Sequence, residues 1–254
     1  MSGHFYNCQS DTPYLTEART PVQARKLKAY PSVTTIIGTQ MNDFLHNIWG
    51  PRKLVELARE YPTASVEEIQ RMKYGSRVCP ESGGKIESSV FGTLVHARLE
   101  DVLNNRIFGE GLEEANSPYD AWVEPFIDFI DKEGIDPAWC EKIVYSDKMK
   151  SAGSVDLIAF VNDEYHLFDY KCRDTKGTGG KFYEEKDCTQ LAVESLWLQE
   201  ELELDYRPRA TSVCICTESK KHYHKTWSQS AMRKGVTRFK YLNRLYRMDW
   251  MKAK

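Results

Sequence analysis

The chain has 254 residues, 41% of them hydrophobic and 28% charged, with a formal net charge of −2. This is ordinary for a soluble globular protein of one large domain or two small ones, and it gives no global signature of nucleic-acid binding, so any such contact must rest on local patches. No apolar run approaches the ~20 residues of a membrane span, and the N-terminal MSGHFYNCQSD does not read as a signal peptide. No membrane partner and a cytoplasmic location are therefore expected. The seven cysteines are odd in number and irregularly spaced, which agrees with reduced thiols in a cytosolic compartment.

In chain order, residues 1–30 are polar and irregular and read as an N-terminal arm. Residues 31–37 are strand-like or a helix entry, and 44–49 and 51–60 look helical. Ser65-Val66-Glu67-Glu68 resembles an N-cap with an acidic first turn. Residues 75–86, with Gly75, Pro80, Gly83 and Gly84, read as a loop. An amphipathic helix is predicted over 88–103, with Phe91, Leu94, Val95, Leu99 and Val102 on one stripe. Ser117-Pro118 opens another helix that runs through Phe129 to a stop at Gly134. Strands are predicted near 142–147, 153–161 and 165–171, followed by a Gly/Lys-rich loop over 174–181. A helix over 187–203, strands over 210–217 and 222–227, and a long helix over 230–250 complete the chain. The expected fold class is α/β, a mixed central sheet flanked by helices. Residues 31–254 are read as one domain with helical elaborations at 40–86 and 230–250.

Chemistry enters at GSVDLIAFVNDEYHLFDYKCRD, residues 153–174, where Asp156 and Asp169 each interrupt an apolar strand. A carboxylate buried there is costly unless something compensates it. With Asn162-Asp163 as a two-residue hairpin turn, the register sets Asp156 opposite Asp169, and period two puts Lys171 on the Asp169 face. Like charges so placed destabilise a sheet. A divalent cation between two hard oxygens resolves the repulsion and points to Mg²⁺ or Mn²⁺; a plain ion pair of Lys171 with one aspartate is the competing reading. On the 88–103 helix, His96 and Glu100 share a face, as do Gln190 and Glu194 on the 187–203 helix. By spacing alone, a surface or satisfied histidine is the commoner reading of His96, and an exposed polar face is the favoured reading of Gln190 and Glu194.

Several of these stretches together resemble a known family. AGSVDLIAF followed by LFDYK resembles the core of the PD-(D/E)XK nucleases, in the RecB-like exonuclease branch that includes phage and mitochondrial exonucleases. FGTLVHARLE (91–100) is similar to that branch's glycine-threonine, histidine and glutamate helix. QLAVE (190–194) resembles its glutamine-led motif, although the family usually has tyrosine where Glu194 stands. SVTTIIG with Trp49 is similar to its lead-in, and Glu141 sits where members often carry an acidic residue. The resemblance covers roughly 31–227.

The resemblance implies a restriction-endonuclease-like core and metal-dependent hydrolysis of DNA from an end, without sequence preference. His96, Asp156, Asp169 and the Tyr170 carbonyl would hold Mg²⁺ or Mn²⁺. Lys171 would orient or help deprotonate the attacking water, Glu100 would be an additional or water-mediated ligand, and Gln190 would position the lysine, the water or a phosphate. The substrate would be DNA, single-stranded or with a free end, in phage, viral or organellar DNA processing, with a single-strand-annealing or replication protein as a conceivable partner. Members that carry an iron–sulfur cluster have a C-terminal cysteine trio. No cysteine follows Cys216 here, so no iron–sulfur cluster is expected.

DNA contacts are expected from Arg173, Lys176 and Lys181, around Gly177, Gly179 and Gly180, and from Arg238 on the last helix. That helix carries Arg233, Lys234, Arg238, Lys240, Arg244 and Arg247 interleaved with Phe239, Tyr241 and Tyr246, a pattern that fits either a single-strand channel or a core face. Three rival readings stand: an endonuclease of the same fold, a non-catalytic nucleic-acid-binding module, and a zinc site of Cys214, Cys216, His222 and His224.

Overall fold

Asn162 and Asp163 both adopt left-handed backbone angles, with φ of 51° and 63°. A two-residue type I′ turn needs this, and asparagine and aspartate tolerate it. The turn joins β7 (Ser151–Val161) to β8 (Glu164–Arg173). Their register runs from Val161↔Glu164 to Leu157↔Phe168, as the turn predicts. Among the described residues the ladder ends there, one pair short of Asp156 and Asp169. Beyond that point β7 continues along β6 (Asp136–Ser146), while β8 pairs in parallel with β9 (Arg209–Cys216). The two strands part where the carboxylates stand.

The computed structural model describes residues 3–41, 50–66, 68–69, 75–109, 116–175 and 179–252. The element order is β1 (Phe5–Asn7), β2 (Tyr14–Leu15), α1 (Pro21–Lys26), β3 (Tyr30–Pro31), α2 (Val33–Met41), α3 (Gly50–Glu60), β4 (Ser76–Val78) and β5 (Lys85–Glu87). There follow α4 (Ser88–Phe108), α5 (Asp120–Lys132), β6, β7, β8, a π-helical turn (Glu184–Cys188), α6 (Thr189–Glu201), β9, β10 (His222–Thr226) and α7 (Gln229–Lys252). The central sheet has the order β10-β9-β8-β7-β6, with only β8 and β9 parallel. It is the mixed sheet flanked by helices that was expected.

Each face buries its own core. Val155 and Leu167 pack with Val33 and Ile36 of α2, Leu191 and Trp197 of α6, and Phe239 of α7. Leu157, Phe168, Tyr170 and Val213 pack with Phe91, Val95 and Leu99 of α4 and Phe126 of α5. The α4 stripe runs as the 3.6-residue period requires, and the helix extends five residues past the predicted end to Gly109, which caps it at φ 68°. Phe239 and Tyr246 of α7 are core, whereas Tyr241 is 67% exposed, so only Tyr241 of those three aromatics faces outward. Among the described residues no helix is long and apolar enough to cross a membrane.

Three expectations are corrected. Residues 1–30 are not an irregular arm: β1, β2 and β3 form a small sheet, Phe5, Ala18, Ala24 and Ala29 make its core, and Tyr6, Cys8 and Tyr30 pack on Ala152 of β7. Strands of two or three residues are too short for alternation to register. The 40–86 elaboration is not helical throughout, because β4 and β5 form a hairpin over the stretch read as a loop. The zinc reading fails on register: His222 and His224 pair with Ile215 and Val213, which turns their rings to the Phe129 side. Cys214 and Cys216 alternate to the other face. The Ser65–Glu68 cap is present as a reciprocal pair, Ser65 N to Glu68 Oε2 at 2.7 Å and Glu68 N to Ser65 Oγ at 3.2 Å. The predicted 44–49 helix, with Trp49, lies outside the described residues.

Candidate active site

The opening between β7 and β8 exposes both sheet faces at one place. Glu141 of β6 falls between the pairs Cys140↔Leu157 and Lys142↔Val155, and so faces Asp156. Extending the β7–β8 register, Asp156 in turn faces Asp169, which pairs with Ser212. Three carboxylates therefore line up across three adjacent strands. Glu141 also has a left-handed φ of 49°, a conformation that costs a non-glycine residue on the order of 1–3 kcal/mol. Backbone strain of this kind concentrates at functional sites, which makes this row of like charges the candidate.

The row is tied down by specific contacts. Asp156 Oδ2 accepts the Tyr170 backbone N–H at 2.8 Å, replacing the next rung of the ladder. Lys171 Nζ lies 2.5 Å from Asp169 Oδ1 and 3.7 Å from Asp156 Oδ2. The Ser154 hydroxyl donates to Glu141 at 2.6 Å. His96 reaches in from α4, its ring 4.8 Å from that of Tyr170. Ligand-capable atoms of His96, Glu141 and Asp156 all lie within 4.8 Å of one another. From the other face, Gln190 and Glu194 of α6 line the same cleft of about 250 Å³. Two buried oxygens, Asp169 Oδ2 and Glu194 Oε2, have no hydrogen-bond partner.

Burial pushes the Asp156 carboxyl up to about 6, with Lys171 opposing and Glu141 adding. Burial likewise raises Asp169 to about 6, against Lys171 and with Asp156. Glu141 and Glu100 are raised by burial too. Glu194 is held far above the usual range by burial and by the Asp169 and Asp156 charges. Burial lowers His96 to about 4, with Lys171 helping, so its ring is neutral and competent as a ligand. Burial alone would lower Lys171, but Asp156 and Asp169 outweigh it and hold it above the ordinary lysine range. In the metal-free chain the two carboxylates thus hold Lys171 protonated. Such a cluster of acids around one ammonium fits a divalent cation: hard oxygens, one imidazole, and carboxylate oxygens left without partners.

The structure gathers most of the residues expected from the sequence and changes some roles. His96, Asp156, Lys171 and Gln190 line the cleft, and Asp169 stands beside it bound to Lys171. Glu141, and not Glu100, completes the close set with His96 and Asp156; Glu100 sits half-buried one turn along α4. Glu194, given little weight from sequence, is 1% exposed and faces the site. A Cβ on Gly153 would lie 2.5 Å from Glu194 Oε1, so the glycine makes room for it. His4 and Tyr6, from the segment read as an arm, form another wall with Ser32 and Thr34.

The expected DNA contacts fare differently. Arg173 is a correction: its guanidinium makes two 2.7 Å bonds to Asp187 and donates to the Lys181 carbonyl. At 16% and 4% side-chain exposure this is a buried structural pair. Arg173→Ala should therefore destabilise the fold by about 3–5 kcal/mol, measured by chemical denaturation, with the loss unaffected by added DNA. Arg238 reaches the Glu184 carbonyl at 3.3 Å and Thr189 Oγ1 at 3.0 Å, bracing the start of α6. Lys181 is exposed, 6.0 Å from the Tyr183 ring centre. Lys176 lies outside the described residues.

No family model and no curated protein matches the chain. Solved structures do, distantly. The crystal structure of LHK-Exo in complex with dAMP is 10% identical at a TM-score of 0.36, covering 61% of this chain and 81% of that one. The alkaline exonuclease LHK-Exo from Laribacter hongkongensis is 11% identical at 0.33, with the same coverage. SSO0001 is 12% identical at 0.31, covering 74% of this chain and 70% of that one. The site stands on its own geometry.

Proposed function

We propose that the protein is a divalent-cation-dependent phosphodiesterase that shortens DNA from a strand end. The observation that carries this is the row Glu141, Asp156 and Asp169 at the parting of two strands, with neutral His96 and the ammonium of Lys171 beside it. A cation bound there would supply charge neutralisation at the scissile phosphate and acidify a water. His96, Glu141 and Asp156 would hold it. Asp169 fixes Lys171, whose ammonium would stabilise charge developing on the phosphoryl oxygens. Gln190 hydrogen-bonds Glu194 and holds its other polar groups toward the cleft. The sequence resemblance to RecB-like exonucleases supports the same reading.

The test incubates end-labelled linear DNA, beside closed single- and double-stranded circles of matched sequence, with Mg²⁺, Mn²⁺, Ca²⁺ or chelator. Mg²⁺ and Mn²⁺ should support progressive shortening of the linear strand while the circles survive. Ca²⁺ should bind without turnover, because its looser coordination positions water poorly. Rapid cutting of the circles would replace the end-dependent reading with an endonuclease. Absence of turnover on every DNA and metal would leave a binding module.

A further inference from the structure

The catalytic cleft cannot itself attract DNA. Glu141, Asp156 and Asp169 stand about the ammonium of Lys171, with Glu100 near Asp156, so even a cation-loaded site offers a polyanion little net attraction. Affinity for a strand must come from elsewhere on a chain whose net charge is −2.

On the other side of β3 lies a second cleft, of about 450 Å³, into which four basic side chains converge from separate parts of the chain. Arg25 comes from α1, Lys28 from the α1–β3 connection, Lys150 from the β6–β7 turn, and Arg247 from the last turns of α7. Gln9 and Tyr30 complete the wall. An acid, Asp147, stands beside it, accepting from Tyr30 and lying 3.3 Å from Lys150. Lys28 holds a left-handed φ of 52°. Folded surfaces ordinarily intersperse the two signs of charge. Four cations drawn together from distant segments form a focused positive potential that suits phosphates.

The two clefts adjoin. Pro31 lines the cationic one and Ser32 the catalytic one, and Lys150 is three residues from Gly153 of the catalytic wall. We infer that this cleft is a backbone-binding exosite, in which Lys28, Lys150, Arg247 and Arg25 hold the phosphates of the substrate strand a few nucleotides from the bond being cut. The inference rests on the phosphodiesterase reading for the identity of the strand, and the N-terminal module of β1, β2, α1 and β3 supplies Arg25 and Lys28 to the exosite, with Lys150 and Arg247 coming from the β6–β7 turn and α7.

The test reverses charge at the two exposed positions outside the Tyr30–Asp147 network, Lys28→Glu with Arg247→Glu. Binding of a fluorescent single-stranded oligothymidylate is read by anisotropy in chelator across a salt series. Affinity should fall at least tenfold at low salt. The slope of log K against log salt should become shallower by about 1.4, two phosphate contacts at ~0.7 each. Hydrolysis of thymidine 5′-p-nitrophenyl phosphate, too short to span both clefts, should be unchanged. A matched pair elsewhere, Lys132→Glu with Lys234→Glu, should leave the slope alone. Unchanged oligonucleotide affinity and slope in the first pair, or equal weakening by the matched pair, would overturn the exosite. If the parent protein turns over neither the small ester nor DNA while the first pair still loses affinity and slope, the exosite stands and the hydrolase reading falls.

Discussion

Asp156→Asn and Lys171→Ala should each reduce cation-dependent DNA hydrolysis by more than the ~10²–10³-fold that loss of a single electrostatic donor costs, and for different reasons. Asparagine at 156 keeps an oxygen to accept the Tyr170 N–H, now at 2.8 Å, so the splayed strand end stays in place. What is lost is the charged oxygen shared with His96 and Glu141. That variant should bind Mn²⁺ weakly by calorimetry, and its fold should be more stable than the parent's in chelator at pH 8, because a like charge has left the row. Lys171→Ala removes the ammonium that lies 2.5 Å from Asp169. It should retain Mn²⁺ binding yet lose turnover, and it should be less stable in chelator, since Asp156 and Asp169 then face each other uncompensated. Wild-type turnover by either variant would move the chemistry out of this cleft. Opposite signs of the two stability changes distinguish a charge row from a generic core defect.

Much of this site was legible because hairpin geometry is local. The Asn162-Asp163 turn fixed the β7–β8 register, and with it the apposition of Asp156, Asp169 and Lys171. The same arithmetic, applied to the β6–β7 turn that pairs Ser146 with Ser151, would have placed Glu141 against Asp156. That signal was present, but β6 extends six residues earlier than its pattern indicated, and Glu141 fell just outside the predicted strand. Glu194 was not recoverable from spacing, because i, i+4 polar pairs occur on solvated faces as often as on buried ones. Only the packing of α6 on the sheet decides that Glu194 is interior. Arg173 illustrates the converse. A basic residue beside a Gly/Lys-rich loop reads as a phosphate contact, and nothing local reveals that Asp187, 14 residues away, accepts from both Nη atoms of its guanidinium. The N-terminal module was missed because its strands are shorter than any periodicity can show.

Cation binding should be visible as stability, and its pH dependence should identify the carboxylates. Asp156 and Asp169 rise to about 6 in the folded chain, against ~3.9 when unfolded. Between those values the folded state binds more protons, so their contribution to stability is largest below pH ~4 and declines as pH rises through ~6. His96 and His166, both lowered to about 4, act oppositely over an overlapping window: the unfolded chain takes their protons first, so their contribution is lost as pH falls from ~6.5 to ~4. The melting temperature of the metal-free protein alone therefore mixes two opposing trends. The difference between the Asp156→Asn/Asp169→Asn double variant and the parent removes the His166 part and reports the carboxylate pair together with its coupling to His96. Measured in chelator, that difference should grow in favour of the variant as pH rises from 4 to 7, then level off. Mn²⁺ at ~100 times its Kd should stabilise the parent by about 2.7 kcal/mol, a shift of roughly 5–10 °C for a chain this size. The shift should shrink toward pH 4, as protons compete for the same oxygens, and should be nearly absent in the double variant at any pH. A Mn²⁺ shift that survives in the double variant would place the cation on other residues, and a variant–parent difference independent of pH would mean that burial does not raise the two aspartates in the folded chain.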